Sequence, residues 1–271
     1  MAEHEIRLLW LALSFYVAAG CLAILAVVFG RRPGGVMVAL LACGSLLHAA
    51  SLGVRWERLG HGPFGTQFEI LSSNLWSLTL AFTLVCWRMP VIRSLAAPVT
   101  PMLFMMMAWM MLTHPGDAPL PATYDTVWLY IHIGFGKVFL GAAMVASGIS
   151  GVILGRMRPW GERWFRPAPP DEALDELAYR CTALGLIFDT LMLVAGAIWA
   201  QKAWGRYWSW DPLETWSLIT WLLMVLAVHI RPLFQPAPRL GALLSLLIFA
   251  AAFLTFFGVP FVSTAAHQGV V

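Results

Sequence analysis

The chain has 271 residues, 60% of them hydrophobic and 11% charged, with a mean hydropathy of +0.76 and a formal net charge of +3. That composition excludes an ordinary soluble domain, and positive charge scattered as arginines over short loops gives no face for nucleic acid. It describes a chain that crosses a membrane repeatedly, with membrane lipid as its first partner and no nucleic acid among the others.

A helix needs about 20 apolar residues to cross the hydrocarbon core. Eight runs approach or exceed that length, roughly 8–29, 35–54, 69–87, 91–112, 127–154, 179–200, 215–230 and 240–259. They predict an all-α polytopic membrane helix bundle of about eight transmembrane helices, folded as a single domain over 1–271. The opening MAEHEIR leans acidic and lacks the basic stretch and cleavage site of a removable signal, so the first helix is expected to stay.

Taken in order, the first run leads to Arg31 and Arg32, and the second carries His48 deep inside SLLHAAS. A buried histidine there reads first as a hydrogen bond between helices. The stretch RWERLGHGP, 55–63, with His61, leads to the third run, which ends near Arg88 and Arg93; the fourth run contains prolines. From His114 to Thr126 the loop has no Lys or Arg. His132 follows one turn into the fifth run, in WLYIHIGFGK, with Lys137 one or two turns further on. The Pro- and Arg-rich RMRPWGERWFRPAPPDEALDEL, 156–177, is expected to be a linker-like loop. Asp189, in LIFDTLM, sits in the middle of the sixth run and needs a partner, for which Lys137 is one candidate. Cys21, Cys43, Cys86 and Cys181 lie singly in or beside apolar runs, with no C-x-x-C pair, and read as small buried hydrophobes.

Cytoplasmic loops are enriched in Lys and Arg. The loops after runs one, three, five and seven hold Arg31, Arg32, Arg88, Arg93, Arg156, Arg158, Arg163, Arg166, Arg231 and Arg239. The opposite side has only Arg7, Arg55, Arg58, Lys202 and Arg206. Both termini are therefore expected on the non-cytoplasmic side, together with His61, His114, residues 200–214 and His267.

Residues 200–221, AQKAWGRYWSWDPLETWSLITW, concentrate large aromatic rings in a short polar interruption. Asp211 has the chemistry of a helix N-cap, Pro212 suits the first helical position, and Glu214 completes a capping-box spacing. Tryptophan and tyrosine also anchor helices at membrane interfaces, but an anchoring belt spreads over many helix ends. Trp204, Tyr207, Trp208, Trp210 and Trp216 fall within one loop and its flanks, which also suits a flat hydrophobic ligand that needs stacking faces. Gly205 lets the backbone turn sharply or approach such a ligand. His132 and His267, both near the same side, offer two imidazoles for the axial positions of a haem iron, unless each is only an interfacial polar residue. His229, in LMVLAVHIRP, lies near the cytoplasmic end of the seventh run, where it is functional unless it snorkels.

WAQKAWGRYWSWDPLETWSLITWLLMVLAVHIRP closely resembles the tryptophan-rich WWD signature of the CcsA/ResC cytochrome c assembly proteins, in the haem-handling superfamily that includes CcmC and CcmF. The Asp-Pro-x-Glu-Thr-Trp continuation is similar to the CcsA type. After His61 the chain reads GPFGTQFEILSSNLW, where that family more usually has a Ser-Asn-Leu-Tyr-Glu run, and it ends four residues beyond His267.

The resemblance implies a protein of cytochrome c biogenesis that takes haem b from the cytoplasmic side and presents it at the outer face. It implies a transiently bound haem with His132 and His267 as outer axial ligands, His229 as a ligand of an inner site, and Trp204, Gly205, Tyr207, Trp208, Trp210, Asp211 and Trp216 as the platform. The implied partners are a CcsB/ResB-type membrane protein, an apocytochrome c with a Cys-x-x-Cys-His motif, and a thioredoxin-like protein that keeps thiols reduced. The chain would be one subunit of a holocytochrome c synthase in the bacterial cytoplasmic membrane or, alternatively, a thylakoid membrane. Two other functions fit the same residues: a bis-histidine b-type cytochrome for electron transfer, and a haem carrier without synthase chemistry.

Overall fold

The computed structural model describes residues 2–259, and all regular structure among them is helical. The helices are α1 (Ala2–Val28), α2 (Gly35–Leu59), α3 (Gln67–Arg88), α4 (Ala96–Leu112), α5 (Val127–Gly155), the short α6 (Pro159–Trp164), α7 (Asp171–Trp204), α8 (Pro212–Phe234) and α9 (Pro238–Phe253). A 3-10 segment, Pro90–Leu95, precedes α4, and a π turn, Leu254–Gly258, follows α9. Eight of these elements are long and apolar enough to span a membrane, in the eight places the hydropathy picked out.

The differences from the sequence expectation lie at helix ends, where capping rather than hydropathy decides. The fourth span begins as a 3-10 segment with Pro90 at its first position, where the missing N–H is not needed, and continues as α4 from Ala96. Residues 156–177 are not a loop throughout. Pro159 opens α6 at its first position, and Asp171 and Glu172 start α7 with negative charge on its N-terminal dipole. Helix α2 runs on to Leu59, so Arg55 and Arg58 are helical residues rather than loop charges. Gly60, at φ +77, closes that helix with its N–H on the Trp56 carbonyl at 2.9 Å. The cysteines are all free, but only Cys86 is buried; Cys21 and Cys43 face outward, where lipid is as apolar as a core.

The chain divides into two compact units, Met1–Pro119 with Gly151–Pro170, and Leu120–Ser150 with Asp171–Val271. In the first unit α1 and α2 pair closely. A Cβ on Gly44 would come within 2.6 Å of the Tyr16 ring, and one on Gly20 would collide with Thr100 and Phe104 of α4. Small residues at such points let membrane helices approach without a hydrophobic drive. His48 is fully buried between α1 and α3, with Nε2 2.9 Å from Ser72 Oγ and Nδ1 3.4 Å from the Tyr16 hydroxyl. It is the inter-helix hydrogen bond expected of it.

At the end of this unit that holds the start of α1, Arg55 donates to Glu5 at 2.7 Å, to Glu69 at 2.8 Å and to the Gly116 carbonyl at 2.6 Å. Arg58 bridges Glu5 to Asp117. Glu69 also completes a capping box with Thr66 at the start of α3. One network thus ties together the ends of three helices and the segment after α4.

In the second unit α5 lies against α7. A Cβ on Gly136 would come within 3.1 Å of Met192 Sδ, and Gly185 faces Phe139, Ala142 and Met224. Asp189 is 1% exposed, and one of its carboxylate oxygens has no hydrogen-bond partner among the described residues. Arg231 joins α8 to the start of α7 through Asp175 and Glu176, with its guanidinium 4.5 Å above the Tyr179 ring.

Candidate functional site

Helix α7 ends where Gly205 adopts φ +76 and donates its N–H to the Gln201 carbonyl at 3.0 Å. A side chain at that φ would be strained, so this glycine serves the turn. Helix α8 begins at Pro212, capped by Asp211, whose Oδ1 accepts the Glu214 N–H at 2.9 Å. Glu214 also serves the loop through its side chain. Its carboxylate reaches further back and accepts the Ser209 N–H at 2.7 Å and the Ser209 hydroxyl at 3.2 Å. The first turn of α8 thus fixes the loop that precedes it.

Trp210 sits in that loop at φ +60, a left-handed conformation that a bulky side chain adopts only at a cost. Its ring stands edge-on to Trp208 at 5.8 Å and is 69% exposed, while Tyr207 is 60% exposed. Trp216, one turn into α8, is also exposed. Trp208 is tucked further in, and its indole nitrogen is buried with no hydrogen-bond partner among the described residues.

His132 comes from the first turns of α5. Its Nδ1 donates to the Met192 carbonyl of α7 at 2.9 Å. Because a carbonyl can only accept, the proton sits on Nδ1, and in the neutral ring the lone pair falls on Nε2. The imidazole lies nearly parallel to the Trp199 ring, 10° between planes and 6.2 Å between centroids. His132, Gly196, Trp199, Tyr207, Trp208, Leu213 and Glu214 line one cleft with about 40 Å³ of open space. That volume cannot enclose a large flat ring. Of the exposed aromatic residues of the loop, Tyr207 borders this cleft, while Trp210 and Trp216 are not among the residues that line it.

Trp204 belongs to the packing beside this cleft. Its Nε1 donates to the Tyr124 hydroxyl at 2.8 Å, Trp199 Nε1 donates to the Tyr124 carbonyl at 3.0 Å, and the three rings meet edge to face. His229 lies elsewhere. Fifteen residues of α8 separate it from Glu214, about 22 Å along the axis. It is exposed, with Nδ1 donating to the Val225 carbonyl at 2.8 Å. His267 lies outside the described residues. Among the described residues no group of three or more His, Cys, Asp or Glu could hold a metal ion.

The structure brings His132, Tyr207, Trp208 and the Asp211–Glu214 turn together. Sequence inspection missed Met192, Gly196, Trp199 and Tyr124, all of which set the position of His132 or Trp204. Trp199 was visible as a large aromatic near the end of its span, but Met192 acts through its backbone and Tyr124 sits in a loop without pattern, so neither left a signal.

A family model described as cytochrome C assembly protein matches residues 65–267. The cytochrome c biogenesis protein CcsA of Synechococcus sp. (strain CC9902) is 35% identical over 231 residues, covering 74% of this chain and 75% of that protein. CcsA of Chlamydomonas reinhardtii is 28% identical over 258 residues, 92% of this chain and 72% of that protein. Among solved structures, the cytochrome c heme lyase CcmF matches with a TM-score of 0.70 at 20% identity, over 94% of this chain and 46% of that one. The chain spans about half the length of that lyase, and the likeness is one of fold.

Proposed function

The chain belongs to the cytochrome c assembly protein family, functioning in cytochrome c biogenesis and haem handling, and from that premise we propose that it holds haem b transiently at the His132 cleft and presents it to apocytochrome c. The observation that carries this reading is the setting of His132. An imidazole with Nδ1 committed to a carbonyl offers Nε2 to a metal, and this one opens into a cleft bordered by Tyr207 and Trp208.

In this reading His132 supplies one axial ligand and His267 the other. Tyr207, Trp210 and Trp216 give the porphyrin stacking faces, and Trp208 Nε1–H is a donor for a polar edge of the ligand. Asp211 and Glu214 hold the loop rather than touch the haem. In this reading the cleft lies on the non-cytoplasmic side with both termini, which the excess of Lys and Arg in the opposite loops supports. Haem brings its own vinyl groups, and each attachment adds a substrate thiol across one C=C bond, forming C–S and C–H bonds without net oxidation. What the protein contributes is position and orientation, which bring thiol and vinyl carbon into reach. The thiols must arrive reduced, which calls for a thioredoxin-like partner.

His229, outward-facing on α8, fits a second, inner haem position completed by a partner of the CcsB/ResB type. The membrane is the bacterial cytoplasmic membrane or a thylakoid membrane. The test is an absorption spectrum of the protein purified with and without that partner, taken on wild type, His132→Ala and His267→Ala. Each variant is expected to lose haem, to regain it with added imidazole, and to abolish c-type cytochrome maturation in cells. Normal maturation in either variant removes that residue from the ligand pair.

A further inference from the structure

Helix α7 carries a glycine in its interior at Gly196, where glycine costs a helix roughly 0.5–1 kcal/mol relative to alanine. What the missing side chain makes room for is the His132 ring. A Cβ built on Gly196 would stand 2.7 Å from His132 Nδ1, 2.9 Å from Cε1 and 3.6 Å from Cγ, so it would press on the bonded edge of the imidazole. That ring has little freedom to retreat. Met192, one turn earlier on α7, takes its Nδ1–H at 2.9 Å, and Trp199, one turn later, lies nearly parallel to it. Residues 192, 196 and 199 follow the i, i+4, i+7 spacing of one helix face. One stripe of α7 therefore provides a carbonyl, a gap and a flat wall.

We propose that Gly196 is the positioning residue for His132: its bare backbone seats the imidazole against α7 so that the Met192 carbonyl fixes the Nδ1–H tautomer. The inference rests on the reading of His132 as a haem ligand. It adds that the ligand is pre-oriented before haem arrives, by a residue that touches no haem. An alanine at 196 must push the ring away by several tenths of an ångström and break the bond to Met192. Outer-shell groups of this kind change metal affinity by about 10–100-fold when removed. The same substitution removes a helix-weakening residue, which offsets part of that cost, so the melting temperature is expected to change little.

The experiment uses the full chain with its membrane partner. Gly196→Ala is expected to weaken haem binding by about 10–100-fold, with recovery on added imidazole and little change in thermal stability. Gly134→Ala, at a helical glycine with nothing within 4 Å of its Cβ, is the control and should match wild type. If His132→Ala keeps the wild-type spectrum, the ligand reading itself fails. If His132→Ala loses haem but Gly196→Ala binds it as wild type does, only the positioning role fails. Should Gly196→Ala not fold, haem-free wild type labelled with ¹⁵N-histidine decides the matter. The imidazole signals absent from His132→Ala must show a protonated Nδ1 and an unprotonated Nε2, and the opposite tautomer overturns the proposal.

Discussion

Arg55 and Glu69 form an ion pair at 2.8 Å between α2 and α3 in which the arginine is 1% exposed and the carboxylate 0%. Glu5 of α1 takes the other side of the same guanidinium at 2.7 Å. A fixed fork of five N–H donors meets two carboxylates and a backbone carbonyl, so the charges are satisfied rather than merely buried.

Breaking this arrangement from the arginine side leaves Glu69 without its cation and Glu5 with Arg58 alone. Arg55→Met is therefore expected to destabilise the protein by about 3–5 kcal/mol, measured by thermal or denaturant melting in detergent. Adding Glu5→Gln and Glu69→Gln to that variant should recover more than half of the loss. A single variant that melts like wild type shows that the network does not hold the helix ends.

The half-exposed Asp117, outside the helices, extends the network. The hydrogen bond from Arg58, with the positive charge of Arg58 and Arg55, holds its carboxyl below the ordinary 3.8. A depressed folded pKa adds stability that is fully present above the unfolded value and is lost as pH falls through the folded one. The melting temperature of wild type is expected to fall from about pH 4 downward more steeply than that of Asp117→Asn, with no difference in slope above pH 5. Parallel curves throughout would deny Asp117 this role.

Asp211 caps α8 by accepting the Glu214 N–H at 2.9 Å. Asp211→Ala should cost about 0.5–2 kcal/mol and keep haem binding, since the carboxylate is turned to the Glu214 backbone. Glu214→Ala is different, because it releases Ser209 and with it the aromatic loop. It is expected to reduce haem retention more than Asp211→Ala for a similar loss of stability, as read by haem-to-protein ratio after purification. Equal haem loss in the two variants removes the distinction.

Trp210 holds a left-handed backbone that costs a non-glycine residue about 1–2 kcal/mol. Trp210→Gly relieves that strain while giving up an edge-to-face contact with Trp208 worth about 0.5–1.5 kcal/mol. Folding stability should stay within about 1 kcal/mol of wild type, yet haem retention should drop sharply because an exposed stacking face is gone. Loss of stability with haem retained would make Trp210 a packing residue and nothing more.

The spans, the cap at Asp211 and the turn at Gly205 were legible in the chain because each is decided within a few to about 20 consecutive residues. Hydropathy summed along a run fixes that a helix crosses lipid, and a carboxylate next to a proline fixes where α8 begins. Seven of the ten residues that the family resemblance singled out lie in one stretch, 204–216, for the same reason.

Which face of one helix meets which face of another was decided only by the tertiary structure. A span that is apolar all round carries almost no periodic signal, and lipid competes equally for every greasy side chain. The partners are then chosen by close approach at small residues and by backbone groups no sequence advertises. So Arg55, which reads as a loop charge, became the buried hub of three helices, and His132 found Met192, Gly196 and Trp199 on another helix. The chain specified a histidine near the end of a span; the contact with α7 specified its tautomer.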